Sequence, residues 1–422
     1  MPTPKTVLIS GASIAGPALA HWLARHGFHP TVVEIAPAPR PGGRAVDFRG
    51  ETHLHVLDRM GILDELRRVR TGGTPMTFVD ADDRELLHLP AAFAGGDVEV
   101  LHGDLSRILH EASRASTEYV FGDTVTSLTE SPAGVDVTFR HAPPRTFDIV
   151  IGADGLHSTV RRLAFGPEER YVSHLGYYAA TWSLPGDPHP TRPGSVGFNA
   201  PGRLASVAAP PTAPGRAGAF FLFASPALPY DRNDPAAHKA LITRAFAGLP
   251  WRVGPLLDSL TAADDLYFDS ISRADVGSWS TGRTALLGDA ACGATIGGMG
   301  TGTAVVAAYV LAAELARTPE DPRSAFRRYE SLVRPYARAC QRGGNRTGPF
   351  LAPATTLGLR LRNTLLNQPR ALTWLLKQGR TTATLPLPLL PPRPARGSRP
   401  RGSAPPPPPP PTHEQTQQPP PP

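Results

Sequence analysis

The sequence predicts an α/β fold in which a Rossmann-like domain is interrupted by a mainly antiparallel β-sheet domain and followed by C-terminal helices. Three observations support this. Residues 6–35 have the order strand, glycine turn, helix, strand, which is a βαβ unit with parallel strands. Two later apolar strands end in glycine-aspartate motifs near residues 152 and 288. Between those motifs, short apolar runs alternate with turns rich in Pro, Gly and Asp, as in antiparallel sheets.

The composition is that of a soluble globular protein. The chain has 422 residues, 41% hydrophobic and 19% charged, which is enough for two domains. The net charge of +7 is partly due to four arginines and one glutamate near the C-terminus, so we predict no nucleic-acid partner. The sequence has no apolar run of membrane-spanning length and no signal-like N-terminus, and we expect a cytoplasmic protein. The sequence has two cysteines and no cluster of Cys and His residues, so we expect no metal site.

The elements follow from apolar periodicity and divide the chain into four parts. Strands at Tyr119–Leu128, Val135–Phe139 and Asp148–Ile151 are expected to complete the first sheet, and Gly176–Leu184 and Gly218–Phe223 to belong to the second. The predicted helices are Glu51–Val69, Asp104–Ala115, Pro235–Gly248, Gly302–Ala316, Arg323–Gln341 and Thr355–Lys377. The predicted parts are residues 1–164 with 281–345, the inserted sheet 165–280, the helices 346–380, and a disordered tail 381–422. That tail contains 17 prolines, so it has little to bury.

The first glycine motif is Gly11-Ala-Ser-Ile-Ala-Gly16, with Ser13 where a dinucleotide fingerprint usually has its second glycine. Gly11 permits the tight turn, a small residue at 13 lets a pyrophosphate approach, and Gly16 lets the helix pack on the sheet. Glu34 ends the next strand, where a carboxylate accepts hydrogen bonds from ribose hydroxyls. Its negative charge favours FAD or NAD over NADP at this turn.

The second and third motifs also join an apolar strand to a helix through glycine and aspartate. The second contains Gly152-Ala-Asp154-Gly155, with Ser158 as a predicted helix cap. The third contains Gly288-Asp289 and, further on, Gly297 to Gly302 before a long helix. Each arrangement offers backbone amides at a helix N-terminus beside a carboxylate.

These three motifs, in this order and with a β-rich insertion between the second and third, resemble the class A flavoprotein monooxygenases of the p-hydroxybenzoate hydroxylase fold. The segments Gly42-Gly-Arg-Ala-Val-Asp-Phe48 and Gly298-Met-Gly300 are most similar to the branch of tetracycline-degrading monooxygenases. The resemblance covers residues 5 to 345.

The resemblance implies a non-covalent FAD site. Its residues would be Gly11, Ser13, Ile14, Ala15, Gly16, Glu34, Arg40, Asp47, His102, Asp154, Gly288, Asp289, Gly298, Met299 and Gly300. In this assignment the first turn holds the pyrophosphate, Glu34 the adenosine ribose, and Asp289 the sugar-alcohol chain or pyrophosphate. Amides of the Gly298–Gly302 segment would meet the pyrimidine edge of the flavin. The chain departs from the family at His102, where an arginine is usual, and at Cys292, which we interpret as a packing residue.

The reaction implied by the resemblance takes place on the cofactor. NAD(P)H reduces FAD, O₂ forms a C4a-hydroperoxyflavin, and one oxygen atom hydroxylates an aromatic or polycyclic small molecule. The protein then needs to position, tune and shield the flavin, and the sequence nominates no catalytic base. Aromatic residues of the second sheet, with Tyr178, Trp182 and Phe221 as the chosen candidates, are expected either to contact the substrate or to be core.

Three other interpretations are compatible with parts of the sequence. A flavin-dependent reductase or halogenase would share the fold, although the halogenase motif WxWxIP is missing. A flavin-free NAD-dependent dehydrogenase would leave Gly288-Asp289 unexplained. A scaffolding protein would use the proline-rich tail to dock an SH3- or WW-like groove. The sequence does not choose between NADH and NADPH, and it does not specify the oligomeric state.

Overall fold

A parallel sheet and a larger, mostly antiparallel sheet are the two main layers of the fold. The computed structural model describes residues 5–39, 45–94, 96–186, 189, 192, 194–209, 217–232, 234–293, 299–344, 346–373, 385 and 387. The strands are β1 Thr6–Ser10, β2 His29–Glu34, β3 Ala45–Phe48, β4 Met76–Val79, β5 Glu85–Leu89, β6 Val98–Leu101, β7 Glu118–Phe121, β8 Val125–Ser131, β9 Gly134–Phe139, β10 Arg145–Phe147, β11 Ile149–Gly152, β12 Val172–Ser183, β13 Gly194–Ala200, β14 Arg203–Ala209, β15 Gly218–Ala224, β16 Tyr267–Ala274, β17 Ser280–Thr281 and β18 Thr284–Leu286. The helices are α1 Ala15–Arg25, α2 Gly50–Met60, α3 Leu63–Arg68, α4 Ala91–Ala94, α5 His102–Ser113, α6 Thr159–Ala164, α7 Pro235–Phe246, α8 Val253–Ala262, α9 Asp289–Cys292, α10 Gly300–Arg317, α11 Pro322–Gly344, α12 Thr347–Leu351 and α13 Thr356–Leu366.

The first sheet confirms the predicted βαβ unit and its parallel strands. Its order is β17-β18-β11-β1-β2-β7, and all neighbouring pairs from β18 to β7 are parallel. The central strands are apolar and buried because helices cover the sheet. Helix α1 follows β1 directly and packs against α10 and α5.

Two predicted elements of this region differ from the structure. The segment predicted as one helix, Glu51–Val69, forms α2 and α3, because Gly61 between them adopts a left-handed conformation with φ 79°. Strands β8 and β9 were expected in the first sheet, but they pair with β10 in a separate three-stranded sheet. Only β7 and β11 from that stretch join the parallel sheet.

The second sheet has seven strands in the order β16-β12-β15-β14-β13-β4-β5. Its pairs are antiparallel except β13 with β4, which run parallel. Strands β4 and β5 lie between residues 76 and 89, outside the predicted insertion 165–280. Helices α7 and α8 cover one face, where Ile242, Phe246 and Leu256 are buried against the sheet.

The C-terminal helices pack on the other face of the second sheet through Arg362 of α13. Its guanidinium lies 4.3 Å from the ring centre of Phe78 and donates to the carbonyls of Phe350 and Leu351 and to Asn199 Oδ1 at 2.8–3.1 Å. Burial lowers the pKa of Arg362 to about 10. The charge is retained at neutral pH because this value is far above 7.

Leu385 and Leu387 belong to the folded part of the chain, although the sequence places them in a disordered tail. Both side chains pack against the core of the first sheet. The hydroxyl of Thr52 on α2 accepts the Leu385 N–H at 3.0 Å and donates to its carbonyl at 3.3 Å. Leu385 and Leu387 therefore do not belong to a disordered tail. Among the described residues, no helix has the length and apolar character needed to cross a bilayer.

Candidate functional site

Three strand ends meet at the carboxyl edge of the first sheet. Strands β18, β11 and β1 are neighbours, and their pairing continues past their ends: the Ala153 N–H donates to Ser10 and the Leu287 N–H donates to Gly152, both at 2.8 Å. A Cβ on Gly288 would lie 3.3 Å from Ala15 Cβ in the first motif. All three predicted motifs thus converge where open α/β sheets bind their ligands.

The turn after β1 has no room for side chains at its two glycines. Gly11 has φ 107°, and a Cβ there would lie 2.4 Å from the Ala153 carbonyl oxygen. A Cβ on Gly16 would lie 1.9 Å from the Gly11 carbonyl oxygen. Ile14 precedes α1, and Ala15 is its first residue. The turn thus brings the N-terminus of α1 close to the sheet edge, and its first-turn amides have no intrahelical partner.

Glu34 closes this turn from the end of β2. Its two carboxylate oxygens accept the Ala12 N–H at 2.8 Å and the Ala36 N–H at 2.9 Å. A carboxylate can accept about four hydrogen bonds. Glu34 could therefore still accept hydrogen bonds from the ribose hydroxyls, as predicted. The structure therefore gives Glu34 a second function, the fixing of both adjoining backbone segments.

His102 contacts the first motif directly. Its Nε2 lies 3.1 Å from the Ser13 hydroxyl, although 89 residues separate the two in sequence. His102 begins α5, and the Ser106 hydroxyl one turn later donates to the Ser13 carbonyl at 3.1 Å. Two predicted cofactor residues from distant segments are thus neighbours on the same surface.

Asp154 is held inside its own motif. Its carboxylate accepts hydrogen bonds from the Ser10 hydroxyl at 3.3 Å, from the Val160 N–H at 3.0 Å and from the Ser158 hydroxyl. Burial raises the pKa of Asp154 above its ordinary value. Ser158 caps α6 as predicted, because its hydroxyl accepts the Arg161 N–H at 3.0 Å. The described contacts of Asp154 therefore join the ends of β1 and β11.

Arg161, on α6 after the second motif, is a structural residue whose role is not evident from the sequence. Its side chain is fully buried and donates to the carbonyls of Ala290 at 3.0 Å and Leu156 at 2.6 Å. Because Ala290 belongs to α9, this guanidinium joins the second motif to the third. The sequence shows an arginine on the helix that follows a glycine turn, but it does not show which carbonyl groups that arginine binds.

The third motif places Asp289 at the first position of α9, directly after Gly288, which has φ 63°. Met299 precedes α10 in a left-handed conformation with φ 51°, and Gly300 is the first residue of that helix. A left-handed methionine is uncommon outside special turns. The result is a second helix N-terminus near the carboxyl edge of the sheet.

Asp47 lies on β3, next to the third motif through the packing of β3 on α10. Its carboxylate accepts a hydrogen bond from Arg49 Nε. It is paired across the strands with Glu99, which is 6% exposed and whose pKa burial raises. Arg40 and Gly298, also predicted for the cofactor site, lie outside the described residues.

The three aromatic residues predicted to contact the substrate are core residues. Tyr178, Trp182 and Phe221 are between 0% and 2% exposed and pack beneath α7 and α8. The Tyr178 hydroxyl accepts the Leu228 N–H at 2.8 Å, and Trp182 Nε1 donates to Ser259 at 2.9 Å. Their polar and apolar surfaces are therefore already occupied, and this burial does not support the substrate assignment.

Comparisons with known proteins agree with this geometry. Residues 5–174 match the FAD binding domain family. The chain is 40% identical over 347 residues to an uncharacterized protein, Rv1260, of Mycobacterium tuberculosis, covering 78% of this chain and 89% of that protein. It is 36% identical over 349 residues to a flavin-dependent monooxygenase from an unknown prokaryotic organism, covering 82% of this chain and 89% of the relative.

The chain belongs to the FAD-dependent monooxygenases. The crystal structure of tetracycline destructase Tet(51) superimposes with a TM-score of 0.80 at 29% identity, covering 92% of this chain and all of that one. The predicted family and the predicted cofactor, FAD, are thereby confirmed. The protein is an FAD-dependent oxidoreductase.

The residues present fit FAD. A Cβ at Gly11 or Gly16 would collide with neighbouring backbone, so only glycine at both positions allows the tight turn that brings the N-terminus of α1 to the sheet edge, as a pyrophosphate site needs. The carboxylate at the end of β2 suits a ribose without a 2′-phosphate. Helices α1 and α10 both begin near this edge, so each directs backbone amides towards it.

Proposed function

We propose that this FAD-dependent monooxygenase uses NAD(P)H and O₂ to hydroxylate an aromatic or polycyclic small molecule. The observation that carries the proposal is the convergence of the three strand-end motifs, with His102 in contact with Ser13. A flavin-free dehydrogenase needs only the first motif. The extra glycine-aspartate turn at Gly288 packs against Ala15 of the first turn, so it belongs to the same binding surface.

In this proposal the first turn and the N-terminus of α1 bind the FAD pyrophosphate, and Glu34 binds the adenosine ribose. His102 lies beside the first turn and contacts the same cofactor, and its contact with Ser13 orients the ring. Asp289 binds the sugar-alcohol chain or pyrophosphate, and the first amides of α10, at Gly300 and after it, face the pyrimidine edge of the flavin. FAD, when bound, supplies hydride acceptance and the reaction with O₂.

The substrate surface that we propose lies on the face of the second sheet opposite Tyr178. Half-buried apolar side chains collect there, including Met76, Phe220, Phe93 and Phe350. The rings of Phe93 and Phe350 stack with centres 5.5 Å apart. Such a surface suits a planar organic molecule.

This aromatic surface is connected to the cofactor side through Arg49. The guanidinium of Arg49 donates to the Phe93 carbonyl at 3.3 Å and also bonds to Asp47. A substrate stacked on Phe93 would therefore lie close to Asp47, one of the predicted FAD-site residues. The similarity to Tet(51) makes tetracyclines the first polycyclic class to test.

The experiment begins with the absorbance spectrum of the purified protein and the release of FAD on denaturation. NADH and NADPH oxidation is then followed with a panel of phenols and tetracyclines, and the products are analysed by mass spectrometry after reaction under ¹⁸O₂. One ¹⁸O atom in the product, with NAD(P)H oxidation that depends on the substrate, supports the proposal. NAD(P)H oxidation that yields products without ¹⁸O would indicate a reductase of the same fold. A protein that neither contains nor takes up FAD would contradict the proposal altogether.

A further inference from the structure

The C-terminal end of α9 is held by Gln341 of α11. The buried amide nitrogen of Gln341 donates to the Cys292 carbonyl at 2.8 Å and to the Ala274 carbonyl at 2.9 Å, and the Gly293 carbonyl lies at 3.4 Å. Gln341 is 8% exposed. One side chain thus joins the end of α9, the end of β16 and helix α11.

The first turn of α10 is held by the ring of His53 of α2. A Cβ on Gly302 would lie 2.2 Å from His53 Cε1. The imidazole therefore lies flat against the backbone of the first turn of α10. His53 is 1% exposed, so it has no room to move without displacing that turn or its own helix α2.

The orientation of His53 is set by two hydrogen bonds. Its Nδ1 accepts the Arg49 N–H at 3.0 Å. Burial, together with the charge of Arg49, lowers the pKa of His53 to about 4, so the ring is neutral at pH 7. A neutral ring that accepts at Nδ1 carries its proton on Nε2, and it donates to the Tyr336 hydroxyl at 2.5 Å. Tyr336 is also a residue of α11.

We propose that Gln341, and Tyr336 acting through His53, are positioning residues that fix the C-terminal end of α9 and the first turn of α10, which we assign to the FAD site. The two side chains lie five positions apart on one helix; Gln341 holds the end of α9, and Tyr336 acts on the first turn of α10. The inference rests on the flavin placement proposed above. It adds that α11, which carries none of the glycine motifs, determines where the amides of α10 meet the flavin.

A displaced α10 would alter the flavin in two measurable ways. Fewer aligned amides would weaken FAD binding. They would also stabilise the negative charge of the reduced flavin less, because the positive end of the helix dipole would be farther away. The midpoint potential of bound FAD would therefore become more negative. A residue that only stabilises the fold would lower the melting temperature and leave the potential unchanged.

The test compares Tyr336→Phe and Gln341→Met with Arg338→Gln, whose side chain lies on the exposed side of the same helix. Each apoprotein is titrated with FAD by fluorescence, and the midpoint potential of each holoprotein is measured. We expect Kd for FAD to rise about fivefold in Tyr336→Phe and about tenfold or more in Gln341→Met, since each leaves buried polar groups unpaired. We expect both potentials to fall and Arg338→Gln to match the wild type.

The outcomes separate this inference from the proposed function. A wild-type apoprotein that does not bind FAD would contradict the proposed function itself. Wild-type binding with unchanged Kd and potential in both variants would overturn the positioning role alone. If Gln341→Met does not fold, Tyr336→Phe decides the matter, because it removes a single hydroxyl. Lower melting temperatures with an unchanged potential would also overturn the inference.

Discussion

Gly16 is the residue of the first turn with the least space around it. Gly16→Ala would bring a Cβ within 1.9 Å of the Gly11 carbonyl oxygen, which is backbone and has nowhere to go. We expect the substitution to lower the free energy of unfolding by about 3 kcal/mol and to abolish FAD binding at micromolar concentrations. Urea unfolding and FAD titration measure the two effects.

The control for this substitution is Gly254→Ala in α8. A Cβ at this position would have open space around it, with no neighbouring side chain within 4 Å. Because alanine favours helix over glycine by up to about 1 kcal/mol, Gly254→Ala should leave FAD binding unchanged and stability equal or higher. Equal effects of the two alanines would contradict the steric explanation.

His102 occupies a predicted FAD-site position at which the family resemblance leads us to expect an arginine. His102→Ala removes the contact with the Ser13 hydroxyl, and we expect Kd for FAD to rise about tenfold, the usual cost of one hydrogen bond to a charged ligand. His55→Ala is the control, because His55 is an exposed histidine on α2. An unchanged Kd in His102→Ala would place this ring outside the FAD site.

Phe350 tests the proposed substrate surface. Phe350→Ala removes the ring that stacks on Phe93. Removing apolar contact that is made equally in the ground and transition states raises KM and leaves kcat unchanged. We therefore expect an increase in KM for the polycyclic substrate of about tenfold, with kcat within about twofold of wild type. Steady-state kinetics measure both, and a fall in kcat alone would place Phe350 elsewhere in the mechanism.

At the scale of elements, the loop after the second motif is connected to the second sheet by a charged cluster. His157 lies 3.1 Å from Glu168 and 3.2 Å from Asp269 of β16, and Arg232 donates to Glu168 at 2.8 Å. Burial alone would lower the pKa of His157, but the two carboxylates raise it to about 9. Burial alone would raise the pKa of Glu168, but His157 and Arg232 lower it to about 2.

This cluster predicts a pH dependence of stability. Because the folded pKa of His157 lies above the ordinary 6.5, its contribution is complete below pH 6.5 and is lost as pH rises through 9. We expect His157→Gln to cost about 2 kcal/mol below pH 6.5 and almost nothing above pH 9. Urea unfolding at a series of pH values from below 6.5 to above 9 measures the difference. All measurements are made above pH 4.5, because protonation of Glu168 changes the stability only below that pH. A cost independent of pH would show that packing, and not charge, explains the substitution.

The elements show what local sequence patterns determine and what they do not. The glycine turns were predictable because their shape depends on a few neighbouring residues, as at Gly11 and Gly16. The break at Gly61 was missed because the apolar spacing continues on both sides of it. Tyr177 and Tyr178 are adjacent on β12 and belong to core clusters on opposite faces of the sheet, but the alternation of residues contains nothing about which face α7 and α8 cover. The substrate candidates Tyr178, Trp182 and Phe221 lie on the face that α7 and α8 cover.

At the scale of the molecule, contacts between distant segments account for most of what the sequence did not reveal. The approach of His102 to Ser13 depends on how α5 packs against α1, and the seven-stranded sheet depends on β13 pairing in parallel with β4 across more than a hundred residues. Neither contact produces a pattern of apolar residues in the segments that form it. The order of the motifs was readable from the sequence, whereas the packing between them was visible only in the structure.

Leu385 and Leu387 join the chain just before the proline-rich C-terminus to the folded core, so truncations on either side of them should differ in stability. A chain ending at Leu390 keeps Leu385 and Leu387, whereas a chain ending at Thr384 loses both and leaves the Thr52 hydroxyl, in a residue 6% exposed, without its two described partners. An unsatisfied buried hydroxyl and the lost apolar contact together cost about 2 to 3 kcal/mol. We expect the shorter chain to melt at least about 4 °C lower and the longer one to match the full-length protein. Equal melting temperatures for both truncations would show that the Leu385 anchor does not stabilise the fold. A loss of stability already in the longer truncation would instead assign a stabilising role to the proline-rich residues after 390.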